Sequence, residues 1–77
     1  MKHATKYMTF VLVERKPKTT VWDILNRKSG FPLGRIAWYG PWRQYVCSLV
    51  EDAVFNNGCL RDIAEFLDKL NRKRWPE

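Results

Sequence analysis

The apolar pattern of this chain changes period between Val50 and Cys59. Up to Val50, aromatic and β-branched residues alternate with other side chains in short runs. From Cys59 onward, apolar residues recur at spacings of three and four. A period of two sends neighbouring side chains to opposite faces of a strand, whereas a three-four spacing makes a stripe along a helix. The pattern predicts strands at about 7–13, 19–27, 33–39 and 43–50, then a helix at about 59–73. Pro17 inside Glu14–Lys18, Gly30 inside Lys28–Pro32, and the Gly40-Pro41 pair punctuate the strands as turns. Met1–Lys6 is polar, and an unpaired, mobile start is expected there. Asn56-Asn57-Gly58 is helix-start chemistry. Leu60, Ile63, Leu67 and Leu70, widened by Ala64, form the expected buried stripe. Val54 and Phe55 in the preceding connection are expected in the core. Arg72-Lys73-Arg74 suits a last helical turn, and Trp75-Pro76 a helix stop. The fold class is α+β: an antiparallel three- to four-stranded β-meander packed on one C-terminal amphipathic α-helix, in a single domain spanning 1–77. A helix covers only one side of a sheet, so the other side must meet water, a ligand or a second copy of the chain.

Seventy-seven residues allow one modest core, and four Trp, four Phe and three Tyr supply large areas to bury in it. The net charge is +6, unevenly spread. Residues 1–50 carry nine Lys/Arg against two acids, a net +7; residues 51–77 carry five against six, a net −1. A basic body attracts polyanions, although a charge of this size also serves solubility. Cys47 and Cys59 lack CxxC spacing, and His3 is the only histidine, so no zinc site is expected. Two free, largely buried thiols are expected, with a Cys47–Cys59 disulfide as the alternative. No apolar run approaches the roughly 18 residues of a membrane span. A cytoplasmic protein is the default, in the host cell if the chain is phage-encoded.

Between Arg35 and Tyr45 stand two Trp, two Tyr and two Arg. Aromatic faces beside guanidinium groups suit flat rings and phosphates. The candidate ligand-binding residues are Arg35, Tyr39, Trp42, Arg43 and Tyr45: rings for stacking, arginines for phosphate. Lys16, Lys18, Arg27 and Lys28 form a secondary basic rim. Trp22 and Trp38 are expected mostly in the core. Arg35 or Arg43 has a second reading, as the partner of Asp23. No base stands beside Ser29 or Ser48, and no second carboxylate beside Asp23, so no catalytic residue, metal or cofactor is assigned and an enzyme is not expected. The expected ligand is a nucleic acid or a small nucleotide, held on the basic aromatic face of the sheet that the helix leaves open. The rival is an inhibitor acting by protein–protein contact with a host target, because Trp, Tyr and Arg also dominate interface hot spots. A homodimer through the exposed sheet face is a further expectation.

The motifs WYGPWRQYVC (Trp38–Cys47) and VFNNGCLRDIAEFL (Val54–Leu67) carry a resemblance. Together they resemble a family of small uncharacterised bacterial and phage proteins with the patterns WYGPWRQYCF and TVFNxGCLRDIAxFI, over roughly the last two thirds of the chain. Val46-Cys47-Ser48-Leu49 departs from the family's Cys-Phe-Phe stretch and proline. The resemblance implies a mobile-element setting: a DNA-associated accessory protein, or an inhibitor of host defence that could sequester a host immune signalling nucleotide. In architecture alone, a sheet backed by a C-terminal helix is similar to the arm-binding domains of phage integrases, an analogy with no shared motif.

Overall fold

A computed structural model describes residues 2–73, with the side chain of Lys73 excepted. The expected stop at Trp75-Pro76, and Arg74, lie outside the described residues. Five strands and a helix follow in order: β1 (Lys2–Ala4), β2 (Met8–Arg15), β3 (Thr20–Asn26), β4 (Pro32–Tyr39), β5 (Gln44–Leu49) and α1 (Asn57–Lys73). The strands form one sheet in sequence order with every neighbouring pair antiparallel. This is the meander expected, with one strand more. The extra strand is β1, where an unpaired start was expected: Lys2, His3 and Ala4 pair with Val11, Phe10 and Thr9. The ring of His3 stacks on Phe10 and Phe66, which gives this short polar segment an apolar anchor.

The helix covers the sheet face carrying Met8, Phe10, Trp22, Ile24, Ile36 and Tyr45, which form one core with Cys59, Ile63 and Phe66. Phe66 was missing from the stripe read in the sequence, yet it holds the centre. Its ring lies 4.4 Å from Phe10 and nearly parallel to it, and it meets Trp22 edge-on at 5.0 Å. Leu60, expected inside, is 50% exposed, and Ala64 is exposed too. The buried line runs Cys59, Ile63, Phe66, a four-three spacing offset from the Leu60-based one, because a ring at position 66 fills the hollow over Phe10 and Trp22. Val54, also expected inside, is 92% exposed; only Phe55 of that pair packs on the core.

Local chemistry fixes the ends. Asn56 Oδ1 accepts a hydrogen bond from the Cys59 amide at 2.8 Å, capping α1. Gly30 has φ +79°, as the β3–β4 turn requires. Gly34 faces the helix side between Ile24 and Leu49, and a Cβ there would lie 2.6 Å from the Ser48 carbonyl. Gly40–Trp42 forms a single 3-10 turn closed by Arg43 at φ 54°. At the outer edge of β5, Asn71 of α1 accepts from the Tyr45 amide at 2.7 Å and donates to its carbonyl at 3.5 Å. The helix thereby satisfies an edge that the sheet leaves unpaired.

Candidate functional site

In an antiparallel meander alternate turns share an end. The β2–β3 turn (Lys16, Pro17, Lys18) and the β4–β5 turn (Gly40–Arg43) therefore lie together, and the C-terminal end of α1 joins them through Asn71 and Tyr45. Between the β2–β3 turn, β1 and α1 an open groove encloses about 580 Å³. Its walls carry Arg15, Lys16, Lys18 and Lys69, and no carboxylate among the described residues. Its floor is the edge of the core: Trp22, Tyr45 and Phe66, all buried. Cations over an apolar floor attract an anion more strongly than the same cations on a flat wet surface, because less water screens them.

A one-residue irregularity in β2 sets the sign of this groove. Leu12 pairs with Trp22 and Glu14 with Val21, so Val13 is bulged out of the register. A bulge reverses which face the following residues take. Arg15, opposite Thr20, joins the groove, and Glu14, opposite Val21, goes to the open face. In a regular strand the acid would face the groove and the arginine would leave it.

The residues proposed from sequence do not form one cluster. Tyr39 and Trp42 meet edge-on at 5.3 Å beside Arg43, and the Trp42 ring is 66% exposed. Tyr45 is a correction: it is 5% exposed on the helix side, where its hydroxyl accepts from the Thr20 amide at 3.1 Å and its ring meets Trp38 edge-on. Its phenol ties the β2–β3 turn to β5 rather than offering a stacking face. Arg35 lies mid-sheet on the open face. Its Nε donates to Asp23 Oδ1 at 2.7 Å, and Nη2 approaches Oδ2 at 3.4 Å. Its guanidinium is held above its usual value by that hydrogen bond first, then by the charge of Asp23, with Glu14 adding a smaller pull. The Asp23 pairing read in the sequence is thus the one present, and it occupies Arg35.

The basic rim divides. Lys16 and Lys18 line the groove, whereas Arg27 and Lys28 sit at the far end of β3 with Lys6 and Tyr7. Seven strand residues separate the two ends, about 20 Å at ~3.3 Å per residue. At the far end Arg27 Nη1 donates to the Thr5 carbonyl at 2.8 Å and Lys6 Nζ stands 5.4 Å from the Tyr7 ring centre. Sequence reasoning missed Arg15 and Lys69. Lys69 stands outside the leucine stripe that marks the covered side of the helix, and the bulge that turns Arg15 inward has no sequence signature. Cys47 is half-buried and Cys59 buried, both as free thiols, and burial pushes the Cys47 thiol up. Among the described residues no three His, Cys, Asp or Glu side chains come together to hold a metal ion. No helix among them is long and apolar enough to cross a membrane.

Over 72 residues the chain is 32% identical to an uncharacterized 9.3 kDa protein of Acholeplasma phage L2, covering 92% of each. The chain belongs to the family of that phage protein. This agrees with the phage setting implied by the motif resemblance. No family model and no solved structure matches the chain.

Proposed function

We propose that this phage-family protein is a non-enzymatic binding protein that takes a phosphate-bearing ligand, a nucleic acid or a nucleotide, in the basic groove beside the β2–β3 turn. The observation that carries the reading is four cations and no carboxylate around a floor of Trp22, Tyr45 and Phe66. Phosphate oxygens would take hydrogen bonds from Arg15, Lys16, Lys18 and Lys69. Arg43, Tyr39 and Trp42 stand at the neighbouring turn, two strand spacings or ~10 Å across the sheet. They would hold a second phosphate and stack on a base where the ligand is long enough to reach. Arg35, engaged by Asp23, has no direct part in this scheme, and Tyr45 serves as buried floor rather than as a stacking face. A small signalling nucleotide would fill the groove alone, and a phage protein that binds one would deplete a host signal.

The test uses the Trp22 indole in the groove floor. DNA and RNA oligonucleotides, then linear and cyclic dinucleotides, are titrated while tryptophan emission is followed at two salt concentrations. Quenching by oligonucleotides that weakens steeply with salt is the expected result for a nucleic-acid ligand, because each phosphate contact releases counterions. Quenching confined to dinucleotides, with a shallow salt dependence, is the result for a closed nucleotide site. A flat response from folded protein rejects the reading.

One observation favours a second reading. Trp42, held edge-on by Tyr39 next to Arg43 and 66% exposed, has the composition of a protein-interface anchor. A host protein retained in stoichiometric amount by the wild-type chain but not by Trp42→Ala would support that reading.

A further inference from the structure

The sheet face turned away from the helix carries no basic excess. Lys2, Glu14, Asp23 and Arg35 are its charged residues among those described, two of each sign on a chain of net +6. Around the central Asp23–Arg35 pair lie the partly exposed Val11, Leu25, Ala37 and Val46, with Val21 buried among them, so the face between the charges is apolar. The guanidinium of Arg35 stands above this floor, its side chain 61% exposed. The 32 residues of the five strands, at ~3.3 Å rise and ~4.8 Å spacing, give a face of roughly 500 Å², and two such faces together reach the ~1,000 Å² a specific interface needs.

We infer that this open face is the contact between two copies of the chain, packed sheet on sheet about a two-fold axis that runs along the strands between β3 and β4. Charge complementarity selects both the partner and the axis. A two-fold interface must be complementary to itself. Asp23 and Arg35 are direct partners on adjacent strands. An axis along the strands sets each Asp23 over the other copy's Arg35 and closes a ring of two acids and two bases. An axis across the strands would set acid over acid and base over base. A foreign partner would have no need of a face balanced in this way. Sheets packed face to face keep their strand directions within ~30°, which this arrangement satisfies. The chosen axis also brings both groove-bearing ends to the same side of the dimer, so two grooves would face one polyanion.

The experiment is the solution mass by sedimentation over a concentration series, for wild type, Asp23→Arg, Arg35→Asp, and an equimolar mixture of the two variants. The wild type is expected to sediment as a dimer. Each single variant makes the ring like-charged on both copies and is expected to raise the dissociation constant by about a hundredfold or more, because a buried charge is left facing its own sign. Mixing the two variants restores opposite signs across the interface and is expected to restore the dimer. Near-UV circular dichroism confirms that each variant is folded. A wild-type monomer throughout the series overturns the inference without any variant. So does a dimer whose mass neither substitution changes, since it would use another surface. Single variants that dissociate but do not recombine overturn the axis and with it the proposal.

Discussion

Phe66 touches Phe10, Trp22 and His3 at once, so truncating it removes packing on three sides. Phe66→Ala is expected to cost about 3–5 kcal/mol, whereas Leu60→Ala, at a half-exposed position, should cost about 1 kcal/mol or less. Urea melts of the two variants check this, and equal losses would mean that the buried line of α1 runs through Leu60 after all. These two residues also mark how far single positions were legible. Leucine at three-four spacing is the usual sign of a buried stripe, and Ile63, Leu67 and Leu70 obey it with partial or full burial. The helix nevertheless settles a fraction of a turn away, because a large ring reaching Phe10 is a better fit than another leucine. Tyr45 was misjudged for a similar reason. Its strand phase was right, but which of the two sheet faces would be covered was not written in β3 or β4, where both faces hold apolar residues.

At the scale of elements, the sequence specified the meander well, since each strand is bounded by a proline, a glycine or a charge cluster. The strand it missed was β1, three exposed residues with little apolar content, held by pairing to β2 and by the His3 ring. The feature that shapes the groove was illegible, because Val13 in an apolar β-branched run looks like any regular strand residue. The contact between α1 and β5 offers a direct test of how elements are joined. Asn71 answers both the donor and the acceptor of Tyr45 on the free edge. Asn71→Ala should therefore cost about 1–3 kcal/mol in a thermal or urea melt, the penalty of leaving part-buried backbone groups unpaired. Hydrogen exchange at the Tyr45 amide should accelerate selectively. A loss spread evenly over all amides would indicate that the side chain matters only for global packing.

For the whole molecule, the alternation of turns sorts charge along the strand axis. The groove end gathers Lys2, Arg15, Lys16, Lys18, Arg43, Lys69 and Arg72 against Glu14 and Asp68. The far end balances Lys6, Arg27, Lys28 and Arg61 against Glu51, Asp52 and Asp62. Two double variants with the same change in net charge separate location from total. Lys16→Glu with Lys18→Glu is expected to weaken binding of a short oligonucleotide or polyphosphate by about tenfold or more at low salt and to flatten the salt dependence. Lys6→Glu with Lys28→Glu is expected to change affinity by less than about threefold. Equal losses would mean that only the overall charge counts. The bulge at Val13 gives this asymmetry a last consequence. By turning Arg15 inward and Glu14 away, it gives the electric dipole moment a component across the sheet, from the open face towards the groove. In the field of a polyanion such a body experiences a torque as well as an attraction. It would rotate into alignment during its approach, and productive encounters would make up a larger share of all collisions than an evenly charged protein of this size achieves.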